Sequence, residues 1–362
     1  MRILFFWLCI LILGPPLLAQ DLQIHLRYDG DPMKGLGYQI KEVLDLRVSK
    51  QQIGQVHALG NVKRNIAFKA QLDQTVKNFF HSAIQQIEGS SQSIQVRIYE
   101  VKVSEKKASN NNVYEGDFQL VIGFYKMGIG EPVHLVDYNG SAQYKRSINR
   151  LDMIENVVNR VFKNSVSYFD TWMKLQVMEN RHLARTVRLE IIDQVKPSHR
   201  DTVYYDVNRP LQWSDFRDKP QRSSRFNASI FTSFSMQGKS MIEAGEIVQR
   251  IEIDVYMLPE QSWVKNPSDY ALNHEQRHFD VVRVVANRLI TKLKNLDLDP
   301  DWYEATINDA FFDAYREMNR LQEIYDKQTR HGMDIQAQEE WNGLLDEALK
   351  GNWAGIDRVL SQ

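Results

Sequence analysis

The chain is almost free of cysteine. Its 362 residues contain one, Cys9, which falls in an N-terminal apolar stretch that reads as removable. A mature chain without thiols forms no disulfide, offers no thiol nucleophile, and must build any metal site from histidine and carboxylate. An excess of charge is missing as well: 45 Lys and Arg against 46 Asp and Glu leave a net charge of −1. That balance provides no electrostatic footprint for nucleic acid or for an anionic membrane surface. After the first twenty residues there is no apolar run long enough to span a bilayer. Internal repeats and low-complexity stretches are also lacking.

What is present begins with a short positive start, Met1-Arg2, and an apolar run from Ile3 to Leu13. Gly14-Pro15-Pro16 breaks that run, and Leu17-Leu18-Ala19 offers a cleavage site. Residues 1–20 therefore read as a secretory signal peptide. Export without disulfides suits a bacterial envelope, so a periplasmic or extracellular location is expected. The rest, with 43% hydrophobic and 25% charged residues in the whole chain, is ordinary globular sequence long enough for two domains.

Residues 21–185 read as a mixed α/β sheet domain. Period-two alternation marks strands at Leu22–Tyr28, Glu42–Val48, Ile94–Val103 and Phe118–Tyr125. Helices are expected near Ala67–Ile87 and Leu151–Glu179, and a solvated loop at Ala108–Asn112. His134–Tyr138, Asn139-Gly140 and Ser141–Lys145 read as a hairpin, since Asn-Gly suits a type I′ turn. The order of strands and helices resembles, in architecture only, small bacterial envelope domains of outer-membrane lipoprotein and transport-auxiliary proteins. His25, His57, His81, His134 and His182 lack ligand spacing and read as surface or packing residues.

The second half carries His274-Glu275-Gln276-Arg277-His278, an H-E-x-x-H pattern. With nine histidines in the chain, an accidental occurrence is on the order of 1%. Two histidines four apart on a helix project from one face and can share a zinc ion, while the glutamate can reach a water on the metal. The flanks supply the helix. Ser268 is a candidate N-cap, Asp269 suits the positive end of the dipole, and the helix should run from Asp269 to Lys294. Leu272, Phe279, Val282, Ala286, Leu289 and Leu293 form its core stripe, with the histidines beside it. Before it, residues 186–266 read as a β-rich lead-in with strands at Val187–Ile192, Ile230–Phe234 and Ile251–Met257. The last of these, nearest the motif, is the candidate edge strand for substrate backbone.

A second helix, Asp301–Lys327, repeats apolar residues at Ile307, Phe311, Ala314, Met318, Leu321 and Tyr325. The short connection makes the pair antiparallel and returns the end of the second helix to the start of the first. His331 lies there, before a chain reversal at Gly332, and is the expected third metal ligand beside His274 and His278. Asp326, or another carboxylate, is the alternative. Failing ligation, Asp326 could hold a ligand histidine by its outer N–H, and Asp280 could do the same. Tyr325 packs in the core stripe, and Tyr325, Arg277 or Arg330 could reach an oxyanion.

Residues 211–341 resemble an uncharacterised family of bacterial secreted zinc-dependent proteases of the H-E-x-x-H type. The matching residues are Leu211-Gln212-Trp213-Ser214-Asp215-Phe216, His274 to Asp280, Tyr325-Asp326, Thr329, His331, Gly332, Gln338 and Trp341. Asp218-Lys219-Pro220 departs from the family's glycine before Lys-Pro. The resemblance implies a peptidase-like fold and a site that includes the Tyr-Asp and Thr-x-His-Gly elements. The expectation is thus α+β: residues 21–185 an envelope-type domain, residues 186–362 a zincin-like metallopeptidase domain with two long antiparallel helices. Zn2+ held by His274, His278 and His331 would acidify a water, with Glu275 as general base towards a peptide or protein substrate. The alternative is a zinc-binding but non-catalytic envelope interaction or scaffold protein, its first domain meeting an envelope protein partner.

Overall fold

The computed structural model describes residues 21–362 except 35–36, 61, 86–91, 110–112 and 221–222. The expected signal peptide with Cys9, residues 110–112 of the expected loop and the end of the expected 67–87 helix lie outside the described residues. The fold is mixed α+β, and the chain divides into two compact units, residues 1–176 and 177–362.

The first unit contains β1 (Leu22–Ile24), β2 (Met33–Lys34), β3 (Tyr38–Asp45), β4 (Gly54–Ala58), β5 (Val62–Phe68), α1 (Leu72–Ala83), β6 (Ile84–Gln85), β7 (Gln92–Lys107), β8 (Tyr114–Met127), β9 (Val133–Arg146) and α2 (Asp152–Gln176). Strands order as β1-β5-β4-β7-β8-β9, with β3 also on β7 and a separate β2-β6 pair. Both helices cover the sheet through apolar stripes: Val76, Phe79 and Phe80 of α1, and Ile154, Val158, Val161, Phe162 and Phe169 of α2 are all buried. Phe124 of β8 stacks on Phe169 at 4.0 Å between ring centroids. Arg146 is wholly buried with Glu105, bonded at 2.8 and 2.9 Å, and donates to the His57 carbonyl at 2.6 Å. A buried pair this well satisfied ties Glu105 of β7 to the last residue of β9, and removing one partner would strand the other charge.

The expected hairpin at Asn139-Gly140 is not formed. Both residues lie in mid-strand, opposite Val121 and Leu120 of β8. Pairing along nearly all of β8 outweighs the local turn preference of the dipeptide. Gly140 serves a packing purpose instead: a Cβ there would lie 2.5 Å from the Tyr138 ring. Its absence lets that ring lie flat over the strand, with Oη donating to the Val161 carbonyl at 3.3 Å.

The second unit contains β10 (Thr186–Ile192), β11 (Val203–Tyr204), β12 (Ala228–Ser229), β13 (Thr232–Glu243), β14 (Glu246–Met257), β15 (Trp263–Val264), α3 (Asp269–Lys294), α4 (Tyr303–Thr329), α5 (Ile335–Leu349) and α6 (Ala354–Leu360). β13 and β14 form a long hairpin that turns at Ala244-Gly245, both with positive φ. α3 touches β13 and β14 on one side and α4 and α5 on others. That central position explains why residues beyond its stripe, including Val281, Val284 and Val285, are also buried. Ser268 caps α3 by accepting from the Ala271 N–H at 3.1 Å, a contact worth about 1 kcal/mol. α4 buries Ile307, Ala314, Met318, Leu321 and Tyr325, so its far end lies beside the first turns of α3. Among the described residues, no helix is long and apolar enough to cross a membrane.

Candidate metal centre

His274 and His278 leave α3 one turn apart, and α4 supplies Asp326 opposite them. Ligand atoms of these three residues all lie within 4.8 Å of one another. Asp326 Oδ1 is 3.4 Å from His274 Nε2 and 3.1 Å from His278 Nε2. Donors bound at 2.0–2.1 Å around a tetrahedral ion stand about 3.3 Å apart. His331, expected as the third ligand, falls outside that group. Its Nδ1 is 3.3 Å from the other oxygen, Oδ2, of Asp326, and its side chain is 37% exposed at the mouth of the site.

The outer nitrogen of each imidazole is already engaged. His274 Nδ1 lies 2.8 Å from Gln338 Oε1 and 2.9 Å from Tyr325 Oη, and Tyr325 donates to the same amide oxygen at 2.8 Å. Gln338 Nε2 donates to Asn342 Oδ1 at 3.1 Å, which sets the orientation of the amide. His278 Nδ1 bonds to Gln322 Oε1, whose Nε2 donates to Thr232 Oγ1 and to the His278 carbonyl at 3.2 and 3.3 Å. An amide oxygen only accepts, so both Nδ1 atoms carry a hydrogen and both Nε2 atoms are left to face Asp326. When both rings are neutral, two imidazole lone pairs and a carboxylate oxygen face one another. A proton or a metal cation must sit among them. The donor set fits zinc: two neutral imidazoles and one carboxylate.

Without a metal, the same contacts favour the charged forms of Asp326 and His278. Burial alone would raise Asp326, yet the contacts from His274 and His278 hold its carboxyl well below the usual range. Burial alone would lower His278, but the bond to Asp326 and the charge of Glu275 push it up. Glu275 is 5% exposed. Its burial raises its pKa, against the pull of both histidines and a hydrogen bond from the Ile230 backbone.

These residues line a cleft of about 450 Å³. One wall is residues 225–230, including β12, whose partner on one edge is β15. The expected edge strand, Ile251–Met257, is corrected here. It belongs to β14, which is paired along its length by β13 and flanked by β10 and β11 on the other side. Its run of consecutive buried residues marks a central strand.

The turn after α4 explains the spacing Tyr325-Asp326, Thr329, His331-Gly332. Tyr325 reaches back to His274, and Asp326 faces both histidines. Thr329 Oγ1 donates to the Tyr325 carbonyl at 2.8 Å and accepts from the Gly332 N–H at 3.4 Å. Gly332 has φ +74, and a Cβ there would stand 3.1 Å from His274 Cγ, so the backbone backs directly onto the ring. Asp334 then caps α5, delivering Gln338 to His274 and Trp341 to Tyr325, with rings 5.2 Å apart. Asp280 holds no ligand histidine; it accepts from Tyr205, Gln276 and Arg277. Arg277 is likewise committed, to Asn342, Asp280 and Asp346. Leu211 to Phe216 is anchored to α3 by the Leu211 N–H on Gln276 Oε1 at 2.8 Å. Gln322 is the residue sequence reasoning missed; its signal was the four-residue step to Asp326 on one helix face.

Comparison with known proteins adds one family. Residues 258–332 match the sequence model of a bacterial protein family of unknown function, DUF922, a stretch that contains all of the motif and the turn after α4. No curated protein matches the chain. Among solved structures, the chain is similar to protein XCC0632 from Xanthomonas campestris, of the DUF330 family. The identity is 6%, with 43% of this chain and 95% of that one covered, and the TM-score of 0.28 is too low for the likeness to carry weight.

Proposed function

We propose that residues 177–362 form a zincin-like, zinc-dependent hydrolase acting on peptides, with His274, His278 and Asp326 holding the metal and Glu275 as general base. The observation that carries this reading is the donor set: two Nε2 atoms, oriented through the bonds at Nδ1, and Oδ1 at 3.1 to 3.4 Å from them. Zinc, when bound, supplies Lewis-acid polarisation of a carbonyl and acidifies water towards neutral pH. Glu275 does the proton work. Its carboxylate lines the same cleft, and burial raises its affinity for a proton. It would accept a proton from the attacking water and deliver it to the leaving amine. Among the residues lining the cleft, the short strand β12, Ala228–Ser229, is the backbone against which a peptide would lie as an added strand. Export to the periplasm or beyond belongs to the same proposal and is supported by the pattern of residues 1–20.

The test compares zinc-loaded protein with Glu275→Gln on a diverse peptide library read by mass spectrometry. The wild type should cleave; the variant should keep one zinc and lose cleavage by about 10²-fold or more. Equal cleavage by both would remove Glu275 from the mechanism. The second reading is a zinc-binding envelope or scaffold protein without catalysis. It requires a fourth protein ligand closing the site, and His331 beside Asp326 Oδ2 is the group placed to attempt it.

A further inference from the structure

Resting on that reading, we infer that His331 is a positioning residue: its ring holds Oδ2 of Asp326, so that the carboxylate meets the metal through Oδ1 alone. The two oxygens of Asp326 keep different company. Oδ1 faces His274 Nε2 and His278 Nε2, whereas Oδ2 has His331 Nδ1 at 3.3 Å.

The backbone is shaped to bring this about. Arg330, His331 and Gly332 all have positive φ, at 49°, 55° and 74°. Left-handed backbone is natural for glycine, but two non-glycine residues in succession hold it only where the surroundings over-determine it. Three bonds do so: His331 N–H to the Asp326 carbonyl at 2.8 Å, Gly332 N–H to Thr329 Oγ1 at 3.4 Å, and Asp334 N–H to the Thr329 carbonyl at 2.9 Å. The chain thereby folds back on the helix turn that carries Asp326. A right-handed continuation of α4 would carry position 331 onward along the helix, away from that carboxylate. Phe226 packs against the imidazole with ring centroids 4.6 Å apart, which limits the ring's freedom to leave. Without His331, Oδ2 would be free to swing in as a second ligand oxygen and raise the coordination number.

Cobalt(II) reports coordination number directly, because four-coordinate cobalt absorbs visible light far more strongly than five- or six-coordinate cobalt. The experiment loads full-length wild type, His331→Ala, His331→Asn and Asp326→Ala with Co2+, and measures stoichiometry, affinity and the visible spectrum, with a thermal melt of each variant. Wild type and His331→Ala should each bind one cobalt, the alanine variant about 10–100-fold more weakly and with a clearly weaker visible band. Asparagine tolerates left-handed backbone and offers an N–H to Oδ2, so His331→Asn should recover the wild-type band. Loss of stoichiometric cobalt in His331→Ala would make His331 a ligand and overturn the inference. An unchanged spectrum and affinity would overturn it too, by showing that His331 does not govern Asp326. Failure of the wild type to bind cobalt would instead remove the metal reading beneath it.

Discussion

Replacing Gly332 by alanine sets a methyl group against the imidazole of His274. The new Cβ would stand 3.1 Å from Cγ and 3.2 Å from Nδ1, inside the 3.5–4.0 Å at which carbon atoms rest comfortably. The ring cannot yield freely, because Gln338 and Tyr325 hold its Nδ1 at 2.8 and 2.9 Å. Alanine at φ +74 adds a backbone cost of about 1 kcal/mol. Together the two effects should destabilise the metal-free second unit by about 1–2 kcal/mol, which lowers Tm by roughly 2–8 °C for a unit of this size. Gly351→Ala isolates the backbone term, since Gly351 has φ +95 and nothing within 4 Å of an added Cβ. Both variants should melt earlier than wild type. Only Gly332→Ala should also weaken zinc, by about 10-fold or more in a chelator competition titration, because a shift of a few tenths of an ångström misaligns a ligand. If Gly332→Ala binds zinc as wild type does while melting like Gly351→Ala, the proposed coupling between this turn and the metal is wrong.

Removing Gln322 as leucine strands the His278 Nδ1–H, whereas Gln338→Leu leaves His274 with Tyr325 Oη at 2.9 Å. Zinc affinity should therefore fall about 10–100-fold in the first variant and less in the second; equal losses would contradict the assigned partners. His278 is raised above its ordinary value in the metal-free protein, so zinc must compete with a proton there. Calorimetric binding enthalpies should vary with the ionisation enthalpy of the buffer, and affinity should rise with pH; enthalpies independent of the buffer would count against it. Burial raises Glu275 above its ordinary 4.5. A carboxyl with a raised folded pKa makes metal-free stability fall as pH climbs from that ordinary value through the raised one, and Glu275→Gln should remove this contribution in pH-dependent chemical denaturation. In the first unit, Gly140→Ala would drive a methyl into the Tyr138 ring and should cost about 1–3 kcal/mol; an unchanged melting curve would show that the ring has room to move.

The helices were legible because local signals and packing agree. Ser268 caps α3 as its type and place suggest, and the stripe from Phe279 to Leu293 is the face the core needs. The stripe from Ile307 to Tyr325 likewise survives in α4. Strands were harder. Asn139-Gly140 carries a strong turn signal, yet its fate was decided by a partner strand remote in sequence. Proximity to the motif singled out Ile251–Met257, although only the sheet order reveals that both its edges are taken. The third donor illustrates the same limit. Asp326 and His331 both fall at the end of α4, and spacing alone cannot choose between them. In the structure Asp326 is the one beside both histidines, and His331 follows in a run of three left-handed residues of which only Gly332 announces itself in the sequence. Gln322 went unread because an amide is seldom counted as part of a metal site, although it governs which nitrogen of His278 is free.

Anomalous diffraction at the zinc absorption edge, from crystals of zinc-loaded protein, addresses the central claim most directly. One strong peak should appear within bonding distance of His274 Nε2, His278 Nε2 and Asp326 Oδ1. No peak in that cleft, or zinc found only on surface residues, would contradict it.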